Sequence, residues 1–298
     1  MASDFVTPHR DALLARARPD GSFAVAPGAD SRPDATAWAA VALYTAGGAD
    51  KQVAAARESL AAVQRPDGSV PVIPERKTAA WPTALAILAW LPDPAYRPRA
   101  EAAAAWLLAH PGSHWPKSPN DVFAHDPSIK GWPWIEDTHS WVEPTAQVML
   151  ALTAMGRGET PQLAEAARML LDRQLPAGGW NYGNTKVFHN TLLPIPECTG
   201  LALAALAGRT DRSTVAASLA YLAGPECAVA TPLTAVWRTF GLTAWQAAPP
   251  DVLDRVAEAL AKQSRYGPYD TPLLAQALAA LASGGRFAAL TQGGPHHA

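Results

Sequence analysis

The chain has 298 residues, with 24 Lys+Arg against 26 Asp+Glu and a formal net charge of −2. That balance argues against a nucleic-acid binder that works by neutralising phosphates. Hydrophobic residues make up 49% and charged ones 17%, against roughly 25% charged in an average domain, which excludes a disordered chain and allows a large core.

The opening Met1-Ala2-Ser3-Asp4-Phe5 has neither the basic nor the apolar region of a signal peptide. No apolar run reaches the roughly 18 residues that a membrane span needs, so the expectation is a cytoplasmic protein without a transmembrane segment. Two cysteines without a Cys-x-x-Cys pair read as free thiols. Six amphipathic helices are predicted over 5–18, 50–63, 96–110, 161–175, 211–222 and 251–263, each with a charged stripe for solvent. Six more apolar helices alternate with them. They open at Asp34-Ala35-Thr36-Ala37-Trp38, Trp81-Pro82-Thr83-Ala84, Glu143-Pro144-Thr145-Ala146, Glu197-Cys198-Thr199-Gly200, Pro232-Leu233-Thr234-Ala235 and Tyr269-Asp270-Thr271-Pro272. Runs such as 146–154 and 201–207 are apolar almost all round, as in helices buried on every side.

Turns of one type punctuate this series: Arg18-Pro19-Asp20-Gly21-Ser22, Gln64-Arg65-Pro66-Asp67-Gly68-Ser69 and Gln174-Leu175-Pro176-Ala177-Gly178-Gly179-Trp180. Proline presets φ, aspartate caps the turn, and glycine takes φ > 0. Outer helices alternating with inner ones predict an all-α (α/α)6 toroid as one domain over 1–298, with its core over about 8–284 and a C-terminal tail at 285–298. In a toroid all six inner-helix N-termini face one mouth, where unpaired N–H groups and helix dipoles converge. That mouth is the expected ligand site.

Residues 111–143 form the richest connection, with Trp115, Trp132, Trp134 and Trp141 among three histidines and several carboxylates. About thirty residues without helical periodicity point to function. Asp137 and His139 alternate about Thr138, so an extended backbone turns them to one side, with Glu143 just beyond. An Asp–His pair is an oriented acid or base near neutral pH, and tryptophan faces suit an apolar or cationic intermediate. The alternative is that these tryptophans plug the barrel and the histidine bonds a loop. A second polar loop contributes Tyr182, Asn184, His189 and Asn190, while Trp180 is read as a structural anchor.

The Gln-x-Pro-Asp-Gly-Ser and Gln-x-x-x-Gly-Gly-Trp turns, each leading to an inner helix on Thr-Ala or Thr-Gly, resemble the repeats of squalene–hopene and oxidosqualene cyclases, class II diterpene cyclases and protein prenyltransferase β subunits. The resemblance covers about 11–283 and implies the toroid; it is much less specific for activity, because members with different chemistry share these turns. Class II cyclases protonate an alkene with the central acid of an Asp-x-Asp-Asp motif at an inner helix start. Here the nearest match is Ser31-Arg32-Pro33-Asp34-Ala35-Thr36-Ala37, where Asp34 stands without flanking carboxylates and also suits a helix cap. Prenyltransferases hold zinc with Asp-x-Cys and His-Thr segments, which correspond to Pro196-Glu197-Cys198 and Asp270-Thr271. Cysteine is retained and two ligands are replaced, so Cys198, His189 and Asp270 are the candidate metal set beside the reading of Cys198 as a buried free thiol.

The resemblance implies an isoprenoid-type cyclase or transferase acting on a small apolar ligand, with Trp38, Trp81, Trp134, Trp141, Tyr182 and His189 lining the cavity. Its acid or base is drawn from Asp34, Asp137, His139, Glu143, Glu197 and Asp270, with zinc, magnesium or no cofactor. Two other readings stand beside it: a glycan hydrolase or lyase, whose chemistry also uses paired carboxylates, and a catalytically silent scaffold. Lys117, Lys130 and Lys186 lie in the two loops as candidate partners of a diphosphate.

Overall fold

The computed structural model describes residues 2–73, 81–227 and 231–292. The outer helices are α1 (Val6–Leu14), α3 (Asp50–Val63), α5 (Arg97–Ala109), α7 (Pro161–Asp172), α9 (Ala216–Ala223) and α11 (Val252–Ala261). The inner helices are α2 (Pro33–Ala46), α4 (Trp81–Trp90), α6 (Val142–Ala154), α8 (Pro196–Leu206), α10 (Pro232–Ala244) and α13 (Thr271–Ala282). Two single turns, α12 (Gln263–Tyr266) and α14 (Ala289–Gln292), complete the helices.

Contacts run from α2 to α4, α6, α8, α10, α13 and back to α2, so the inner helices form a closed cycle. Each outer helix packs on that ring from outside: α3 touches α2 and α4, for example, and α11 touches α10 and α13. This is the (α/α)6 toroid. Alanine makes it compact, since residues such as Ala37, Ala86, Ala146, Ala202 and Ala279 are wholly buried where inner helices crowd together. The tightest crossing joins α8 and α10. A Cβ on Gly200 would lie 2.2 Å from the Trp237 carbonyl oxygen, and one on Gly241 would lie 2.6 Å from the Gly200 oxygen.

The recurring sequence signals have structural duties. Gly21, Gly68 and Gly178 take φ of +81, +96 and +94 and press against the backbone of Ala55, Ala102 and Ala217 in the next outer helix. A side chain there meets both strain and a clash. Asp20 and Asp67 each accept bonds from the amide and hydroxyl of the serine two residues on, and those bonds hold both carboxyls below the usual range. Gln64 and Gln174 donate to carbonyls of the following outer segment, at Arg99 and Thr214.

The threonine that opens each of the first four inner helices, α2, α4, α6 and α8, is a clamp. Its hydroxyl accepts the backbone N–H that ends the preceding turn: Phe23 to Thr36 at 3.0 Å, Val70 to Thr83 at 2.9 Å, Trp132 to Thr145 at 2.9 Å and Trp180 to Thr199 at 2.9 Å. Each bond is buried, so removing the hydroxyl strands an N–H group. Thr145→Val is expected to cost about 1–3 kcal/mol in a urea unfolding curve, and Thr145→Ser much less. Trp132 and Trp180 also donate from the indole to Leu107 and Leu170 carbonyls, as expected for Trp180.

Differences from the expected boundaries are local. Helix α1 stops at Leu14 rather than 18, because the chain turns back through the Arg18 amide bond to Ser22 ahead of Pro19. The predicted 251–263 helix ends at Ala261, and 211–215 precede α9 as turns. The second loop contains a hairpin, β1 (Lys186–Val187) paired with β2 (Asn190–Thr191). Within 285–298, Leu290 is wholly buried and α14 packs on α2 and α4. The closing Gly-Gly-Pro-His-His-Ala lies outside the described residues.

Candidate functional site

Inner-helix N-termini gather at one end, as contacts across helices demonstrate. Glu197, in the first turn of α8, accepts hydrogen bonds from the Thr231 hydroxyl at 2.9 Å and the Thr234 hydroxyl at 2.5 Å, at the start of α10. Glu143 occupies the same place in α6. It is partly buried, and desolvation together with repulsion from Glu197 raises its pKa to about 7. The two carboxyls form an acid pair across adjacent inner helices.

The pair sits under the second loop. The Tyr182 carbonyl accepts the Val142 amide at 3.0 Å, tying the loop to the start of α6. Burial and the fields of Cys198, Glu143 and Glu197 raise the Tyr182 phenol, which keeps its proton. Burial and the same carboxylates drive the Cys198 thiol far up, so it is not a nucleophile.

A basic and aromatic group flanks this pair. The His139 ring lies 4.1 Å from the Trp141 ring, and burial plus the Arg173 guanidinium lower its pKa. Arg173 itself is 2% exposed and donates to the Gly183 carbonyl at 2.8 Å; burial lowers it to about 10. His125 is buried against Phe123 at 4.4 Å, and desolvation with Arg173 holds it neutral, near 3. Trp81 and Trp134 meet edge to face at 5.2 Å.

The other candidates have different surroundings. Asp34 is bound on both oxygens by Arg32, at 3.0 and 2.6 Å; Arg32, not Asp34, is the N-cap residue. Asp270 caps α13 by accepting the Leu273 amide at 2.8 Å. Asp137 is exposed with φ of 63, beside Trp106 and His110 on the flank of α5, and no hydrogen bond joins it to His139. Their alternation needs an extended backbone, which the left-handed Asp137 breaks. His189 stands exposed at the hairpin turn with φ of 66. Trp38 lies deep in the ring, edge-on to Trp237 at 6.3 Å, and Trp237 donates to Gln276 at 3.1 Å.

The candidate metal set does not assemble. Among the described residues no three His, Cys, Asp or Glu side chains gather as ligands. Cys198 is buried, His189 stands exposed at the hairpin tip, and Asp270 is engaged as a cap, so these residues do not come together to fit zinc or magnesium. Lys117 is also engaged, donating to the Ala124 carbonyl at 2.5 Å.

The fold is that of a terpene cyclase. Type II terpene cyclase MstE from Scytonema, without ligand, superposes with a TM-score of 0.63 at 18% identity, covering 95% of this chain and 98% of that one. A variant of MstE in complex with geranylgeranyl dihydroxybenzoate, its substrate, gives 0.61 at 17% identity over 97% and 99%. A glycosidase variant gives 0.55 at 13% identity over 95% and 96%. At these identities the likeness establishes the fold alone. No family model matches the sequence, and no curated protein matches it. Among the described residues no helix is long and apolar enough to cross a membrane.

Glu143 and Glu197 are legible in the sequence, whereas the buried His125 and Arg173 are not: His125 is one of several loop histidines, and Arg173 follows an amphipathic outer helix, where an arginine ordinarily faces water. Nothing local marks either as buried.

Proposed function

We propose that the protein is a terpene-cyclase-like enzyme that takes an apolar isoprenoid chain at the inner-helix mouth, with Glu143 as proton donor. One observation carries this reading: of the six acid or base candidates, Glu143 is the carboxyl whose pKa is raised to about 7, by burial and by Glu197, which suits a proton donor near neutral pH. Glu197, fixed by two threonine hydroxyls, is the adjacent charge that keeps the Glu143 proton in place and favours positive charge forming in the ligand. The faces of Trp141, Trp81 and Trp134 suit a developing carbocation.

In this step the Glu143 O–H bond breaks, an alkene π pair forms the new C–H bond, and the carbocation is taken by the next double bond. A final proton returns to a carboxylate, which restores the acid. Incubation with geranylgeranyl dihydroxybenzoate, geranylgeraniol and squalene should yield an isomeric cyclic product from at least one. Absence of both product and binding for all three sinks the proposal.

The same pair supports a second reading. A protonated carboxyl beside a second one is also the acid and base arrangement of glycoside hydrolysis, and a glycosidase shares the fold. Release of reducing sugar from a panel of oligosaccharides, with no turnover of prenyl chains, selects that reading.

A further inference from the structure

The toroid has a second cavity at its other end, which the acid pair does not use. It measures ≈ 530 Å³ and opens between the C-terminal ends of α6, α8 and α10, under the segment that ends in α14. Leu150, Ala154, Ala204, Ala244 and Phe287 provide its apolar wall. Phe287 also closes it from the interior. Its ring stacks on Trp237 at 6.2 Å and meets Phe240 edge-on at 5.3 Å, while Trp237 meets Trp38. A run of aromatic rings, Phe287, Trp237 and Trp38, leads inward from this cavity.

We propose that this cavity binds a single-chain aliphatic carboxylate, with the chain against the apolar wall and the carboxylate on Arg286. The volume lies within the range of ligand pockets. At about 30 Å³ for each water-sized group, it accommodates a chain of roughly 12 to 14 carbons plus its carboxylate. The polarity runs one way. No carboxylate lines the cavity, and exposed Arg286 is on its rim. Arg286 donates from Nε to the Ser283 carbonyl at 3.4 Å and has no acidic partner among the described residues. Thr243 and Gln292 add donors beside it.

Helix dipoles fix the orientation. Three inner-helix C-termini turn their carbonyls toward this end, which opposes an anion placed deep among them. The carboxylate is therefore placed at the rim on the guanidinium, where it gains charge-assisted bonds, and the methylenes fill the depth. A cationic amphiphile meets Arg286 instead and is rejected. This site does not rest on the proposed chemistry at Glu143.

Titration calorimetry of the full chain with dodecanoate, below its micelle concentration, tests it. The expected result is saturable binding of one molecule, weaker by about tenfold or more in Arg286→Ala, abolished in Ala154→Trp and unchanged in Glu143→Gln. Both cavity positions are exposed, so these variants are expected to melt like the parent. Dodecan-1-ol should bind clearly more weakly than dodecanoate. No saturable binding, undiminished binding in Ala154→Trp, equal binding of alcohol and acid, or loss of binding in Glu143→Gln overturns the proposal.

Discussion

Glu143→Gln is expected to lower turnover of the prenyl substrate by about 10²- to 10⁴-fold, the usual contribution of a positioned general acid, with ligand affinity largely retained. The amide matches the acid in shape but has no acidic proton. In the parent protein the donating form of Glu143 disappears as pH rises through about 7, so the rate of the proposed reaction should fall about tenfold per pH unit above that point. A rate independent of pH between 6 and 9, or an unaffected Glu143→Gln variant, removes Glu143 from the chemistry.

The same substitution has a stability signature that does not require a substrate. Folding raises the Glu143 carboxyl from 4.5 to about 7, so between those values the folded chain binds more protons than the unfolded one. Stability from this group is present in full below about 4.5 and is lost as pH rises through about 7. The difference is worth at most about 3 kcal/mol. Glu143→Gln lacks this loss, so thermal melts should show the variant gaining on the parent between pH 5 and pH 8. Parallel melting curves across that range contradict the burial of the charge.

Gly200→Ala should destabilise the fold by about 3 kcal/mol, a large part of a typical folding free energy. The helix-propensity argument has the opposite sign, since alanine in a helix interior is worth about 0.5–1 kcal/mol over glycine. Packing decides against propensity here, because the added Cβ lands 2.2 Å from a backbone oxygen of α10 that no rotamer change can move. Gly208 is the control: it has φ of +75 and open space where a methyl group would stand, so Gly208→Ala carries only a strain cost of about 1–2 kcal/mol. Chemical denaturation of the two variants separates the effects. If Gly200→Ala equals or exceeds the parent in stability, the close α8–α10 crossing is wrong.

The repeat turns and inner-helix starts could be read directly from the chain because their causes lie within a few residues. Pro-Asp-Gly-Ser sets its own φ values and its own aspartate–serine bonds, and the threonine in the first turn of the next helix is placed by the same short connection. Hydrophobic period separated inner from outer helices for the same reason. Six alternating pairs imply a toroid whose inner-helix starts share one mouth.

Local pattern could not rank the acids. Asp34, Glu143, Glu197 and Asp270 all occupy the start of an inner helix, and in sequence they are equivalent. Their differences come from partners brought in by the ring: Arg32 on both oxygens of Asp34, the Leu273 amide on Asp270, two threonines of α10 on Glu197, and on Glu143 burial with a neighbouring carboxylate. The Asp137–His139 pair failed because one left-handed residue reverses the alternation that an extended strand assumes. Periodicity and turn chemistry act over a few residues, so they settle the helices and their order. A proton affinity depends on solvent exclusion and on charges a few ångströms away, and in this ring those neighbours come from helices distant in the chain.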